Sequence, residues 1–429
     1  MQDKKLHMAV IVISALACIG TIAVALAKPR IFFIPTLLGA LILLFSGLLP
    51  LSGAISGLAA DSDINPLKIL VFFLSMTFLS LFLDEIGFFK YLACLAVQKC
   101  GGKQIKLFVI LYCLISVLTV FTCNDVVILT FTPFICYFAK NAKIDPVPYL
   151  VSEFVAANTA SLLLIIGNPT NIYLGTMAGI DFVAYFKVMA LPATFAAIVA
   201  YIVLFVLFRN RLKQPIVAST ENVIIEQKTL FVFGLAVLAT CTFMLAISGL
   251  IEVPMWLISV MGLFTLLFGV ALISLFKRRK PIELLLSVRH APWEVVPLVI
   301  SMFIIVLALE NSGTTEKIAA LLNSGNALFT YGIASTLSAN LINNIPMSVL
   351  FSSLLAERGD LTATYAAIIG SNVGAYLTPI GALAGIMWLG ILRNHGLKFG
   401  FGKFVAYGAC VAIPTLFAAL FGLQFISKL

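Results

Sequence analysis

Apolar residues recur along this chain in long uncharged runs separated by short polar clusters, and the runs have the length of membrane spans. A helix needs about 20 apolar residues to cross a hydrocarbon core of about 30 Å. Met8 to Ala27, Ile31 to Leu51, Phe154 to Ile180, Val188 to Phe208, Thr229 to Ile251, Val253 to Phe276, Leu361 to Leu392 and Phe404 to Ser427 meet that measure, and shorter runs follow Lys68 and Glu294. The pattern predicts an all-α integral membrane protein.

Some runs carry a second signal. Leu107 to Asn124 and the short Val126 to Ala139 are flanked at their outer ends by Lys99, Lys103 and Lys106 and by Lys140 and Lys143. With both ends on one side, the segment of about 104–139 enters and returns as a re-entrant hairpin tipped by Asn124-Asp125. Two other runs are interrupted, over about 148–176 by Gly167-Asn168-Pro169-Thr170-Asn171 and over about 361–392 by Thr378-Pro379-Ile380-Gly381. Proline there frees backbone carbonyls, and the following half-helix turns its positive end toward the break.

These features recur in the same order. Leu83-Asp84-Glu85-Ile86-Gly87 matches Leu309-Glu310-Asn311-Ser312-Gly313, Cys123-Asn124-Asp125-Val126 matches Ile342-Asn343-Asn344-Ile345, and Asn158 precedes Gly167 by nine positions as Asn372 precedes Gly381. Duplication follows, with a first repeat over 1–208, a linker over 209–228 and a second repeat over 229–429, whose hairpin spans about 326–356. Each repeat has five crossings, so the second is inverted. The predicted fold is an inverted-repeat secondary transporter with about ten crossings, two re-entrant hairpins and two interrupted helices.

Composition agrees: 62% of the 429 residues are hydrophobic and 10% charged, against about 25% charged in a soluble domain. The net charge of +9 is not a nucleic-acid footprint, because the cations sit in short loops. Arg209, Arg211 and Lys213, and then Lys277 to Lys280 with Arg289, mark cytoplasmic sides, and the loop of Asp61 and Asp63 lies outside. The eight cysteines have no CxxC spacing, so neither a disulfide framework nor a metal site is expected. Lys4 and Lys5 before an apolar stretch imitate a signal peptide, but the run is too long for one. Nucleotide-binding, hydrolase and metalloprotease motifs are absent; the expectation is a carrier, not an enzyme.

Asparagines in hydrocarbon are costly unless paired or facing water. Asn124, Asn158, Thr159, Ser161, Asn168, Thr170, Asn171, Asn343, Asn344, Asn372 and Thr378 are therefore the candidate substrate-binding residues. Asp125, the carboxylate at a hairpin tip, is the candidate site for a coupling Na⁺ or H⁺. Asp84, Glu85, Glu153 and Glu310 fall near predicted span ends and read as interfacial. Cys123 reads as a small buried residue more than as a soft ligand.

Several of these segments resemble the ArsB arsenical-pump permeases of the ion-transporter superfamily, which also holds Na⁺/H⁺ antiporters and dicarboxylate or citrate carriers. The likeness rests on Leu83 to Phe89, Asn124-Asp125 with Leu129 to Pro133, Asn158 to Leu162, Ala291 to Glu294, Asn343 to Pro346 and Leu377 to Gly381. Where that family carries an acidic residue and a Gly-Pro-Lys run, this chain has Asn372-Val373-Gly374-Ala375-Tyr376. The resemblance implies a multi-pass protein of a bacterial-type inner membrane, with homodimers as the family expectation and H⁺ or Na⁺ in place of a cofactor. It also implies efflux of arsenite or antimonite coupled to H⁺, with a carboxylate or other anion carrier and a Na⁺/H⁺ antiporter as alternatives. A neutral trihydroxide needs only amides, hydroxyls and backbone, which is what the breaks provide.

Overall fold

A computed structural model describes residues 2–28, 31–59, 65–216, 225–323, 325–356 and 359–428. The acidic loop of Asp61 and Asp63, Arg30, and 217–224 of the linker lie outside the described residues. The described chain is helical, and its one β contact is an isolated bridge between Lys103 and Pro215.

The first part of the chain runs α1 (Gln2–Ala27), α2 (Ile34–Phe45), α3 (Leu51–Ala59), α4 (Pro66–Glu85), α5 (Phe88–Lys99), α6 (Gln104–Phe121), α7 (Asn124–Ala142), α8 (Val147–Ala160), α9 (Pro169–Met177) and α10 (Phe182–Phe208). The second runs α11 (Lys228–Ala246), α12 (Ser248–Ile251), α13 (Met255–Phe276), α14 (Ile282–His290), α15 (Val295–Asn311), α16 (Thr314–Asn323), α17 (Ala327–Ile342), α18 (Asn344–Ala356), α19 (Leu361–Gly374), α20 (Leu383–Asn394) and α21 (Phe401–Ile426). Eight helical stretches among the described residues are long and apolar enough to cross a membrane: those of α1, α4, α6, α10, α11, α13, α14 with α15, and α21.

Local sequence sets the boundaries. Asn65, Asp181, Asn326 and Asp360 accept hydrogen bonds from the first-turn amides of α4, α10, α17 and α19, which satisfies donors that have no partner inside the helix. Gly87 and Gly313 adopt φ of +81° and +66° after α4 and α15, a conformation that glycine takes without a Cβ penalty. The expected continuous span from Ile31 to Leu51 is not formed. Gly47 at φ +73° and Pro50 end the helix, and α3 starts anew at Leu51.

Helices pack both across and within the two parts. α2 packs on α15 and α13 on α4; α3 lies against Phe303 and Leu307 of α15, and α14 against α4. α8 packs on α10, and α19 on α21. α17 and α19 approach most closely, because a Cβ on Gly370 would run into Gly332 O and Ser335 Oγ, a small-residue contact typical of membrane helices.

The ends of these helices place the site. Ile216 N donates to Gly102 O at 2.8 Å, and Arg211 pairs with Asp145, so both outer ends of the α6–α7 hairpin lie where α10 finishes. α8 starts at that end. α19 starts at the opposite end, where the Tyr365 ring lies 6.0 Å from Tyr185 near the start of α10.

Candidate functional site

The candidate residues sit at the starts of α7, α9 and α18 and at the ends of α8 and α19 or just beyond them. α6 ends in extended backbone at Thr122 and Cys123, and α7 opens at Asn124. Asn124 Nδ2 donates to Asn158 Oδ1 at 3.0 Å, and Asn158 Nδ2 donates to Phe154 O at 2.8 Å. The first hairpin tip is therefore tied to the end of α8.

The first helix break lies earlier than the Gly167 to Asn171 motif suggested. α8 stops at Ala160, residues 161–164 and a 3₁₀ turn at Ile165–Gly167 follow, and Pro169 begins α9. Pro169 starts a helix here and kinks none, consistent with its lack of an amide donor. Asn168 caps α9 by accepting from Thr170 N at 3.0 Å and Thr170 Oγ1 at 3.1 Å. The carbonyls expected to be free are partly claimed: Asn171 Nδ2 donates to Ser161 O at 2.7 Å and Leu164 O at 3.3 Å.

Asn372 joins the two parts of the chain. Its Oδ1 accepts from Ser161 Oγ at 2.7 Å and Asn168 Nδ2 at 3.0 Å, while its Nδ2 donates to Asn171 Oδ1 at 2.6 Å and Ile368 O at 2.9 Å. That exhausts the amide's capacity. Ser371 Oγ donates to Thr170 Oγ1 at 3.1 Å, and Thr159 Oγ1 to the Tyr376 hydroxyl at 3.3 Å. All eight of these side chains are buried.

The second hairpin tip is tied to the second break. Asn343 sits at φ +74° and ψ 153°, outside the left-handed helical region and in one that glycine ordinarily occupies. Its Nδ2 donates to Ile380 O at 3.0 Å, and Asn344 N donates to Gly381 O at 3.1 Å. Thr378 Oγ1 donates to Asn340 Oδ1 at 2.6 Å, and Asn340 Nδ2 to Gly374 O at 3.0 Å. Asn344 Oδ1 is buried with no hydrogen-bond partner, an exception that marks a site able to take a donor or a cation.

Asp125 stands apart from the amide network. It lines a cavity of about 150 Å³ with Cys123, Thr77 and Leu81, with Leu383 and Met387 of α20, and with Arg289, His290 and Glu294 around the start of α15. His290 Nδ1 lies 2.5 Å from Glu85 Oε1 at the end of α4. A second cavity of about 260 Å³ lies at the other end of α4, walled by Lys68, Phe72, Asp181, Glu252 and Trp256. Between them a void of about 20 Å³ is enclosed by Ile69, Phe73, Pro169, Tyr173, Ile345 and Ser348. Phe73 borders both the Asp125 cavity and this void, and Ile69 both this void and the Lys68 cavity, so the three follow the length of α4.

Asn340, Ser371, Arg289 and His290 were not singled out as site residues by their sequence context. Asn340 and Ser371 carry a usable signal, since each is a polar residue within one turn of a candidate asparagine on an apolar helix. Arg289 and His290 do not: a cationic loop reads as a topology signal wherever it folds. Glu153 was expected at an interface, but it is fully buried within the helix packing.

Residues 21–361 match the family described as CitMHS, citrate transporter. The chain belongs to this family. Among individual relatives, it is 30% identical over 372 residues to an arsenical pump membrane protein of Escherichia coli strain K12, covering 81% of this chain and 84% of that one. A Yersinia enterocolitica arsenical pump membrane protein is 29% identical over 374 residues, with 81% and 84% covered. Among solved structures, the Alcanivorax borkumensis YdaH transporter superposes with a TM-score of 0.61 at 15% identity, over 93% of this chain and 98% of that one. The family and the fold agree on a multi-pass membrane transporter.

Proposed function

We propose that this transporter moves a small neutral metalloid hydroxide, arsenite or antimonite, out of the cell in exchange for H⁺, with Asp125 as the proton-carrying group. The observation that carries this reading is the wall of the Asp125 cavity. A carboxylate and a thiol face a space large enough for a trihydroxide, and a hydroxide donates to a carboxylate where a citrate anion meets like charge. The arsenical-pump relatives support the same substrate class.

In this reading the cavity at Asp125 is the cytoplasmic vestibule, the cavity at Lys68 is the outer one, and the void at Phe73 and Tyr173 is the closed barrier between them. Residues 1–208 and 229–429 act as inverted repeats about that barrier, and the opposite starting ends of α8 and α19 support the inversion. Seven of the eleven polar candidates then divide by role. Asn168, Thr170, Asn171, Ser161 and Asn372 lock the two breaks together, whereas Asn124 and Asn344 open the returning arms of the two hairpins.

A second reading has its own observation. Arg289 and His290 share the Asp125 cavity and are the compensating charge that a di- or tricarboxylate requires; the family's description as citrate transporters favours it. Purified protein in liposomes separates the two. Under an imposed pH gradient, saturable arsenite or antimonite flux is expected, and citrate or succinate flux without metalloid flux reverses the order.

A further inference from the structure

Glu153 has no place in the mechanism above, yet it is the most deeply buried carboxyl in the described chain, with no exposed surface. It lies on α8 between the ends of that helix and faces Thr132 on α7 and Trp388 on α20. Among the described residues no charged side chain of α6, α7, α10, α19 or α20 acts on it, and its titratable neighbour is Cys136, one turn beyond Thr132. An ionised carboxyl in such a place would lack any compensating cation.

Its hydrogen bonds accommodate a protonated carboxyl. Thr132 Oγ1 lies 2.6 Å from Ile128 O and 2.8 Å from Glu153 Oε1. Thr132 has one hydroxyl hydrogen for two acceptors. With that hydrogen on Glu153 Oε1 the threonine is the donor, and with it on Ile128 O the 2.8 Å contact is completed by a proton on Glu153 as a neutral carboxylic acid. Its other oxygen and the indole N–H of Trp388 both lack a hydrogen-bond partner. That N–H is the donor ready for the ionised form. Trp388 also borders a void of about 10 Å³ with Phe154 and Tyr376, near the lower limit for one water.

We propose that Glu153 is a second proton-coupling residue, protonated in this conformation and exchanging its partner from Thr132 to Trp388 when it gives the proton up. The exchange links three elements at once. α7 carries Asp125 at its start, α8 ends in Asn158, and α20 supplies Leu383 and Met387 to the Asp125 cavity. The proton leaves to a water entering between these helices and returns from the opposite side in the other conformation, so no further reactant is needed. The proposal rests on H⁺-coupled transport, but its first test does not.

Infrared spectroscopy of the purified full-length protein in lipid, without substrate, reads the acid directly. Glu153→Gln is expected to remove one protonated-carboxyl C=O stretching band. Thr132→Val keeps the acid but deletes its acceptor, and so is expected to move that band to higher frequency; this variant carries the test if Glu153→Gln does not fold. In liposomes, Glu153→Gln is expected to bind substrate while its flux loses at least tenfold of the acceleration given by a pH gradient. A carboxyl band unchanged by both substitutions overturns the proposal, as does gradient-driven flux in Glu153→Gln equal to that of the unaltered protein. Loss of the band with no gradient response in the unaltered protein would instead place the fault in the H⁺-coupled reading.

Discussion

The returning arm of each hairpin meets a half-helix from the other part of the chain, and the two junctions are built alike but furnished differently. At the first, α7 meets α20 around a cavity of about 150 Å³ that holds Cys123 and Asp125. At the second, α18 meets α9 around a void of about 20 Å³ walled by Pro169, Tyr173, Ile345 and Ser348. Each tip is anchored to the broken helix of its own part, Asn124 to Asn158 and Asn343 to Ile380 O. The backbone plan is therefore shared, while charge and space belong to one junction. A buried charge is tolerated at depth only where solvent or a partner can reach it, and of these two junctions only the first has a cavity of that kind.

The largest expected effect comes from removing that difference. Asp125→Asn should reduce flux driven by a pH or Na⁺ gradient to the level of empty liposomes, with the protein still folded by size exclusion. Placing the carboxylate at the other junction, as Asp125→Asn combined with Asn344→Asp, should not restore it, because the second junction has no comparable cavity. Restored coupling would show that the junctions are interchangeable and would end the assignment.

Asn372→Ala comes next. It withdraws the side chain that Ser161, Asn168 and Asn171 all bond. Each buried polar group left without a partner costs about 1–3 kcal/mol. Loss of these three bonds predicts a lower melting temperature and a drop in flux of at least about tenfold, since 1.4 kcal/mol corresponds to one factor of ten. Unchanged stability would mean that water replaces the amide, and that the breaks are not locked to each other.

How much of this was legible depended on what each feature requires. The helix breaks and hairpin tips announce themselves, because asparagine, glycine and proline have few reasons to interrupt an apolar run. Their exact limits do not: α8 ends eight residues before Asn168 and not at the Gly167 motif, since Ser161 finds Asn372 only in three dimensions. Arg289 and His290 were invisible as cavity residues for the same reason. Glu153 was misplaced because distance along the chain from a span end says little about depth when α8 is short and packed on every side.

A smaller comparison tests the backbone itself. A Cβ on Gly167 would lie 2.5 Å from Ser161 O, and one on Gly381 would lie 2.5 Å from Gly374 O. Neither contact is tolerable without backbone movement. Gly167→Ala and Gly381→Ala should therefore impair flux to a similar degree, by less than Asn372→Ala if each break can shift slightly. Loss of function in one alone would show that the parts differ in backbone as well as in charge.

The smallest effect is the most informative about substrate. Arg289 is exposed at the mouth of the Asp125 cavity, where solvent screens its charge and a surface ion pair is worth about 0–1 kcal/mol. For a neutral trihydroxide, Arg289→Gln should leave KM for arsenite or antimonite within about threefold, a change of under 1 kcal/mol. A carboxylate crossing the same mouth would feel the missing cation in KM, increasingly so at low ionic strength where screening is weak. Flux measured for both substrate classes at two salt concentrations reads this directly. A salt-dependent rise in KM would show that Asp125 at the first junction works beside a cationic anion filter, and the difference between the junctions would then serve citrate-like substrates in preference to metalloids.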